Sequence, residues 1–561
     1  MALTQSLGTF HHPGVSRIDY KPLDMDRVLT ALLARLWHRG MPSKIRGRSG
    51  TLGVDVFVDL FLDHPQVFDG FDRETTTRWT VTHLMDMVNR GRADEAVAAP
   101  RPLHGFTYRF RNPHKSRPYG ADEQLYEMLS ADDGALKGLR EFFFADVDRA
   151  TGTITPGPDT DVETQALLHL VEIRGQRVKD LEDTSKPRRP YPPLCAEPAR
   201  LLCQDVMRLL YHQDHMPRTV LVDYLKVLFA FHLALYHLRM MNLLPAAIST
   251  GTVPAACRKG HTSRAEAGRC PYRVRLFLDV DGTPGTPGAS LAEHSAEIWY
   301  RRIPRFVQAT FQLKKLDEFA ESLPDGKAPA RSAGRKYFTP EEALRLLDKR
   351  RRRERDAFFL QRCTRVRDEG KSVQRQDEDK ELPPEIKQII RLGLDPFDEY
   401  TEMLMHYRGR YYRGQFVKCI DSMLLKNRPG ALLAQPRGGG ADAARRFVLD
   451  GKLLEVLLQV SLLREDADGS GDLATTPMRV DTFLTLLRDR YGLFIDRLPE
   501  GDGFTGAHLD DQAALRANSA AFLNRLREIG YYQDMSDAYL TQTIIPRYAL
   551  GAAARTGAGT R

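Results

Sequence analysis

The stretch from Pro217 to Pro245, PRTVLVDYLKVLFAFHLALYHLRMMNLLP, constrains the fold of this chain more than any other. Proline suits the first turn of a helix and breaks an interior, and no Gly or Pro lies between these two. The sequence therefore predicts one unbroken helix that starts at Pro217 and stops at Pro245. At 100° per residue, Thr219, Asp223, Lys226 and His237 share one stripe, continued by Ala230, Ala234 and Met241. The rest of the surface is apolar. Such a helix is a core element packed on most sides, with one seam of small and polar residues where another helix approaches closely. His232 and His237 lie roughly 140° apart and cannot easily share a ligand. The stretch is long enough to span a bilayer, but Asp223, Lys226, His232, His237 and Arg239 would all lie within it, which predicts no membrane partner.

At 561 residues the chain exceeds one ordinary core, and roughly three to four domains are expected. Composition shifts place an N-terminal helical domain at 1–130, a central helical core at 131–325 and a charged helical connector at 326–444. A C-terminal domain at 445–549 and a disordered tail at 550–561 complete the division. With 42% hydrophobic and 28% charged residues the composition is that of a globular protein. A net charge of +8 permits a polyanionic partner without demanding one. Six scattered cysteines and no secretory signal predict reduced thiols and a cytoplasmic location.

Basic residues beside aromatics suggest nucleic acid. HGFTYRFRNPHKSRPY (104–119) alternates as a strand would, with Arg109, Arg111 and Lys115 as candidate phosphate contacts or, on the blander reading, as residues that keep an edge strand soluble. Thr339, Pro340, Glu341 and Glu342 read as a helix start, and the helix predicted from there carries five consecutive cations, Lys349 to Arg353. Arg350 and Arg351 in that run suit phosphates; a solvated connector is the other reading. YRGRYYRGQF (407–416) interleaves four aromatics with Arg408, Arg410 and Arg413, the chemistry of single-strand binding, or of packed rings at an element's end.

Metal and catalytic signals are incomplete. Cys257, His261 and Cys270 are spaced C-x3-H-x8-C, which matches no standard zinc spacing; Cys195 or His212 could complete such a site, or the cysteines simply flank a basic loop. Cys203, His212 and His215 offer three ligands without a fourth. DADGSGDLATTP (466–477) copies half a calcium loop but has Pro477 where a bidentate Glu belongs. No cofactor is implied. RLFLDVDGTPGT (275–286) resembles the first motif of the haloacid-dehalogenase phosphatases, which would make Asp279 a nucleophile and Asp281 a general acid/base near Mg²⁺. That family needs alternating strands and helices after the motif, whereas a long helical run follows here.

The last region contains KLLEVLLQVSLL, MRVDTFLTLLRDRYG and AALRANSAAFLNRLREIG as helices, with Gly492 and Gly530 as stops and LFIDRL as a short strand. This order resembles a winged helix-turn-helix, in which Arg479, Arg488 and Arg490 would meet phosphates. The expected fold is mainly α and multidomain, a helical core with few short strands and a winged-helix-like C-terminus. Three blocks, PRTVLVDYLKVLFAFHLALYHL, SAEIWYRRIPRFVQATFQLKKLDEFA and MRVDTFLTLLRDRYGLFIDRLP, resemble accessory proteins of bacterial antiphage islands, in particular the methylation-associated defence systems. The basic-aromatic segments and the winged-helix-like end together predict a non-catalytic protein that binds DNA, another nucleic acid or partner proteins. The resemblance implies a cytoplasmic subunit working beside defence proteins such as a methyltransferase or an ATPase, with no active-site residues to carry over.

Overall fold

The computed structural model describes residues 10–551 apart from short stretches at 47–52, 65–68, 149–153, 156, 158–159, 176–178, 183–189, 262, 325–336, 373–381, 437, 439–442, 466–472, 502, 505–508 and 533–541. The half calcium loop and the tail fall largely outside the described residues. About 59% of the chain is helical, and the few strands are short, so the fold is mainly α as expected.

The central helix runs from Arg218 to Thr250, with Pro217 as its N-cap. Its most apolar window would satisfy the length and hydropathy of a membrane span, yet 78% of that window is buried inside the protein. Helices Met25–Trp37, Ala196–Leu210, Ile303–Ser322, Arg410–Met423 and Gly451–Ser461 pack around it. The polar seam is covered. Lys226 reaches Asp26 on the N-terminal helix at 2.9 Å, and Asp223 pairs with Lys226 at 2.7 Å and with Lys452 at 3.0 Å. Ala230 and Ala234 are fully buried. His237 meets the N-terminal arm: its Nδ1–H donates to the Leu233 carbonyl at 2.7 Å, which leaves Nε2 to accept from the Ser16 hydroxyl at 2.9 Å.

Pro245 does not end this helix. It lies inside, and the stop comes at Gly251, in the left-handed region at φ +70°. Leu243, Leu244, Ala247 and Ile248 are buried on either side, so packing of the last turn outweighs the hydrogen bond that proline cannot donate.

Three other expectations are corrected. The sequence TRWTVTHLMDMVNRGR has a helical period up to Gly91, but its helix ends earlier: Arg73–Trp79 widens through a π turn at Thr80–Leu84 into strand Met85–Val88, which pairs with Ala96–Pro100. The 104–119 segment is no strand; Gly105–Phe110 forms a 3-10 helix. The helix from Pro340 breaks at Asp348, which leaves helical geometry (ψ 139°) and caps a new turn before helix Arg352–Ser372. Its start is as expected, with a full capping box between Thr339 and Glu342.

One continuous apolar cluster extends from Phe10 to Ile544, with a small second one around Phe277, Ala292 and Leu515. In the C-terminal region helices Gly451–Ser461, Val480–Leu486 and Leu509–Glu528 are present, and Gly492 stops its helix at φ +76°. Strand Leu463–Glu465 pairs with Leu473–Thr475, and Met478–Arg479 with Thr543–Ile544. Leu493–Phe494 leaves the region to pair, in parallel, with Leu276–Phe277.

Candidate nucleic-acid interface

A cleft of about 920 Å³ opens where four elements meet. The C-terminal end of the central helix contributes Ser249 and Thr250, and helix Ile303–Ser322 contributes Arg305, Gln308 and Gln312. Arg345 and Lys349 come from the broken segment between two helices, Arg355 from the first turn of helix Arg352–Ser372, and Asp395 and Asp398 from the start of helix Pro396–Leu404. Arg305, Arg345 and Lys349 are exposed and carry no ion pair among the described residues. Arg355 is only 8% exposed; its Nη1 donates to the Leu346 carbonyl at 3.4 Å, its Nε has no hydrogen-bond partner, and Asp356 stands 3.9 Å away. A buried guanidinium so weakly compensated favours an incoming anion.

The carboxylates of the cleft are largely engaged elsewhere. Asp348 accepts from the Arg350 N–H at 2.9 Å, and Asp395 from the Phe397 and Asp398 N–H groups at 3.1 and 3.2 Å, as helix caps do. Asp398 accepts from Gln312 at 3.2 Å, and burial together with neighbouring Asp395 raises its carboxyl to about 6. In the adjoining run Arg350 and Arg353 are exposed without an ion pair among the described residues, while Arg351 lies 3.8 Å from Glu354 and Arg352 3.5 Å from Asp356.

Helix Pro396–Leu404 continues through a π turn at Met405–Gly409 into helix Arg410–Met423. The extra residue of a π turn rotates all that follows, and such turns recur at functional sites. Of the four aromatics in this stretch, Phe416 is buried, Tyr412 stacks on Phe10 with centroids 4.5 Å apart, and Tyr407 packs against the core. Tyr411 alone points outward, 56% exposed. Beside it Arg410, Arg413 and Lys418 are exposed without an ion pair among the described residues. Arg408 is half-buried. Gly414 lies among them, and a Cβ there would meet nothing within 4 Å. Helical glycine costs roughly 1 kcal/mol against alanine, and no packing inside the protein requires it here.

Elsewhere the candidate cations are occupied. The Arg109 guanidinium lies 3.9 Å over the Phe106 ring. Arg111 donates to the Tyr108 carbonyl at 2.8 Å and to the Ser43 hydroxyl at 2.7 Å, and Lys115 stands 3.7 Å from Asp94. Arg479 is paired with Asp481 at 2.8 Å. Arg488 is buried against Asp496 at 2.6 Å and Thr485 at 2.8 Å, and Arg490 against Asp205. Arg305 lies 40 residues from Arg345 and forms no motif with it, and Arg345 and Arg355 merely flank the Lys349–Arg353 run, so the sequence did not single these three out.

Asp279 is 1% exposed, faces Arg446 at 3.5 Å and accepts from the Gly282 N–H at 3.2 Å; burial raises its carboxyl. Asp281 holds Thr283 at 3.1 Å. Among the described residues every sheet has two strands, so the parallel sheet that the phosphatase motif requires is not assembled around Asp279. Cys203 donates to the Met128 and Leu129 carbonyls, and His212 contacts the Gln459 carbonyl at 3.2 Å, so this pair does not converge. Cys257 and Cys270 do come together, with Cys195, while His261 faces Arg239 at 3.2 Å. Among the described residues no group of three His, Cys, Asp or Glu side chains is arranged to hold a metal ion.

The fold and these surfaces define a helical protein built around one core helix, with exposed cations lining one cleft and one face of helix Arg410–Met423. The model of the family described as methylation-associated defense system protein MAD7 matches residues 5–548, and the chain belongs to that family. A comparison with curated proteins gives no match. The resemblance to accessory proteins of antiphage defence is thereby borne out.

Proposed function

We propose that this chain is a non-catalytic, cytoplasmic subunit of its defence system that holds nucleic acid by the phosphate backbone and presents it to partner proteins of the same system, a methyltransferase or an ATPase among them. One observation carries the reading. Arg305, Arg345 and Lys349 line one cleft, exposed and without an ion pair among the described residues, backed by Arg355 with an unsatisfied Nε and followed in sequence by the exposed Arg350 and Arg353. Other exposed cations without an ion pair among the described residues, such as Arg39 and Arg516, do not line this cleft. Arg410, Arg413 and Lys418 with Tyr411 and Gly414 supply a second contact surface, where one ring can stack on a base and the bare glycine lets a backbone approach. Arg109, Arg111, Arg479 and Arg488 support the fold in this reading.

Gel shifts and filter binding with single- and double-stranded DNA at several salt concentrations test it. The log of the binding constant should fall linearly with log salt. Replacing Arg305, Arg345 and Lys349 together by Gln should lower the slope by roughly 2 to 3, at about 0.7–0.9 per lost phosphate contact. Absence of binding at low salt, or an unchanged slope in the triple variant, refutes it.

A further inference from the structure

A second cleft, of about 520 Å³, is walled largely by arginines. One face of helix Ala196–Leu210 supplies Glu197, Arg200 and Arg208 at helical spacing. The core helix sends in Arg239, the segment after helix Ala255–Lys259 sends His261, and the stretch before strand Leu276–Phe277 sends Arg273. Most charges here are committed. Arg200 pairs with Glu197 at 2.6 Å, Arg208 donates to the Val460 carbonyl at 3.4 Å, and neighbouring Arg490 is held by Asp205. Asp132 accepts from the Gly134 N–H at 2.8 Å.

Three nitrogens among the lining side chains are buried with no hydrogen-bond partner: Arg239 Nε, Arg273 Nη2 and His261 Nδ1. Arg239 is 6% exposed and the His261 side chain 3%. Arg239 Nη2 donates to Cys270 Sγ at 3.1 Å and to His261 Nε2 at 3.2 Å. A guanidinium cannot accept, so His261 Nε2 accepts and the imidazole proton sits on Nδ1. That N–H has Glu266 at 3.9 Å, beyond hydrogen-bond length. Arg273 Nη1 donates to the Gly268 carbonyl at 3.3 Å and leaves Nη2 without a partner. Among the described residues neither Arg239 nor Arg273 forms an ion pair with a carboxylate. Burial lowers the Arg273 guanidinium, and Asp489, exposed and beyond ion-pair distance, only partly offsets it. Two cations and an imidazole N–H are thus left with donors that nothing inside the protein accepts, which costs stability until an anion arrives.

We propose that this cleft binds a small phosphate ester, with the phosphate on Arg239, Arg273 and His261 and the organic part along Met207. The donors select the chemistry. One guanidinium fork satisfies a carboxylate, whereas the three terminal oxygens of a phosphate monoester and its double charge match donors from three side chains, two of them cations without a counter-charge. The volume lies in the range of small-molecule sites, roughly 300–1,000 Å³. Met207 lines the cleft 40% exposed, apolar surface that the organic part of an ester covers. Reaching the three nitrogens takes small side-chain rotations, open to a compact phosphate and not to a DNA duplex.

The test titrates the full chain calorimetrically, at constant ionic strength, with inorganic phosphate, phenyl phosphate and benzoate. Phosphate should bind, and phenyl phosphate at least about threefold more tightly because its ring covers Met207. Benzoate should bind at least about tenfold more weakly than phenyl phosphate. Arg239→Gln and Arg273→Gln should each weaken phenyl phosphate at least about tenfold, the loss of one charged hydrogen bond, with circular dichroism unchanged. Arg273 is half-buried and holds one carbonyl, so its variant carries the test if Arg239→Gln fails to fold. Gln at Arg305, Arg345 and Lys349 should leave phenyl phosphate binding as it is, because none of them lines this cleft. Four results overturn the proposal: no binding of either phosphate, phenyl phosphate no tighter than phosphate, benzoate as tight as phenyl phosphate, or an unchanged affinity in Arg273→Gln. Loss of phosphate binding in the triple variant does so too, as does loss of DNA binding in Arg273→Gln, which gives the cleft to a nucleic-acid backbone.

Discussion

Replacing Asp205 by alanine removes the centre of the knot that ties the C-terminal region to the core helix. Asp205 is fully buried on helix Ala196–Leu210, and its Oδ2 accepts from the Tyr491 hydroxyl at 2.8 Å and from His232 Nε2 at 2.9 Å. Its Oδ1 pairs with Arg490, whose Nη1 also donates to Gln204 at 3.2 Å. Burial alone would raise this carboxyl, but the Arg490 charge and the His232 hydrogen bond outweigh it, and the net shift is downward. In the alanine protein Arg490 keeps its burial and loses its counter-charge, a change that costs about 3 to 5 kcal/mol. With a urea m-value of roughly 3 kcal/mol/M for a chain of this length, the midpoint should fall by about 1 M. Fluorescence of Trp37, Trp79 and Trp299 together with far-ultraviolet circular dichroism would follow it. Sign matters here: a depressed folded-state carboxyl contributes above the unfolded value near 4 and loses that contribution as pH falls, so the gap between wild type and variant should close toward pH 3. An Asp205→Leu, Arg490→Met double variant should recover most of the loss, since no orphan charge remains. A midpoint shift below about 0.3 M would refute the reasoning. A double variant as weak as the single one would show that lost packing, and not the stranded arginine, sets the cost.

Other perturbations test separate parts of the structure. Burial lowers His237 to about 4, so the folded state resists a proton that the unfolded chain binds below 6.5; stability on the order of 3 kcal/mol should be present above 6.5 and lost as pH falls to 4, and His237→Gln should flatten that slope in thermal melts across pH. Gly492 has φ +76° and a Cβ there would stand 1.8 Å from the Val274 carbonyl oxygen, so Gly492→Ala should cost more than about 3 kcal/mol, seen as insoluble protein or a much lower melting temperature. Gly414→Ala should stabilise its helix by roughly 0.5–1 kcal/mol yet weaken DNA binding; unchanged binding would remove the glycine from the interface.

What the sequence made legible was local. Pro217, the Thr339 capping box and Gly492 each act within one turn of the backbone, and each marks the boundary expected of it. The seam of the core helix was legible because a 3.6-residue period places its residues on one side whatever covers them. The 104–119 segment misled for a physical reason. Alternating aromatics and arginines fit a strand, but in a 3-10 turn residues three apart eclipse, so Arg109 lands over Phe106 and the same residues are satisfied without a sheet. Pro245 misled because the propensity rule prices one lost hydrogen bond and cannot see four buried apolar neighbours. Least legible was which arginines are free. Arg490 meets a carboxylate 285 residues away, whereas Arg413 meets none, and nothing in their immediate sequence separates them.

That distinction reorders the meaning of a net charge of +8. Spread evenly, it would be a weak field on a chain of this size. Exposed cations without an ion pair among the described residues stand elsewhere too, Arg39 and Arg516 among them, but Arg305, Arg345 and Lys349 share one cleft and Arg410 and Arg413 one helix turn. The two free groups lie on connected elements. The 345–353 segment feeds helix Arg352–Ser372, which packs on helix Pro396–Leu404, which runs through the π turn into helix Arg410–Met423. If one nucleic-acid strand lies on both groups, affinity should rise with oligonucleotide length until both are spanned and then level off. Gln at Arg410, Arg413 and Lys418 should then remove the gain from length and leave short-oligonucleotide binding in the cleft intact. If the groups serve two separate ligands, the same variant should leave the length dependence unchanged. The continuity of the helices favours the first outcome, because each element that carries free cations is braced directly by the next.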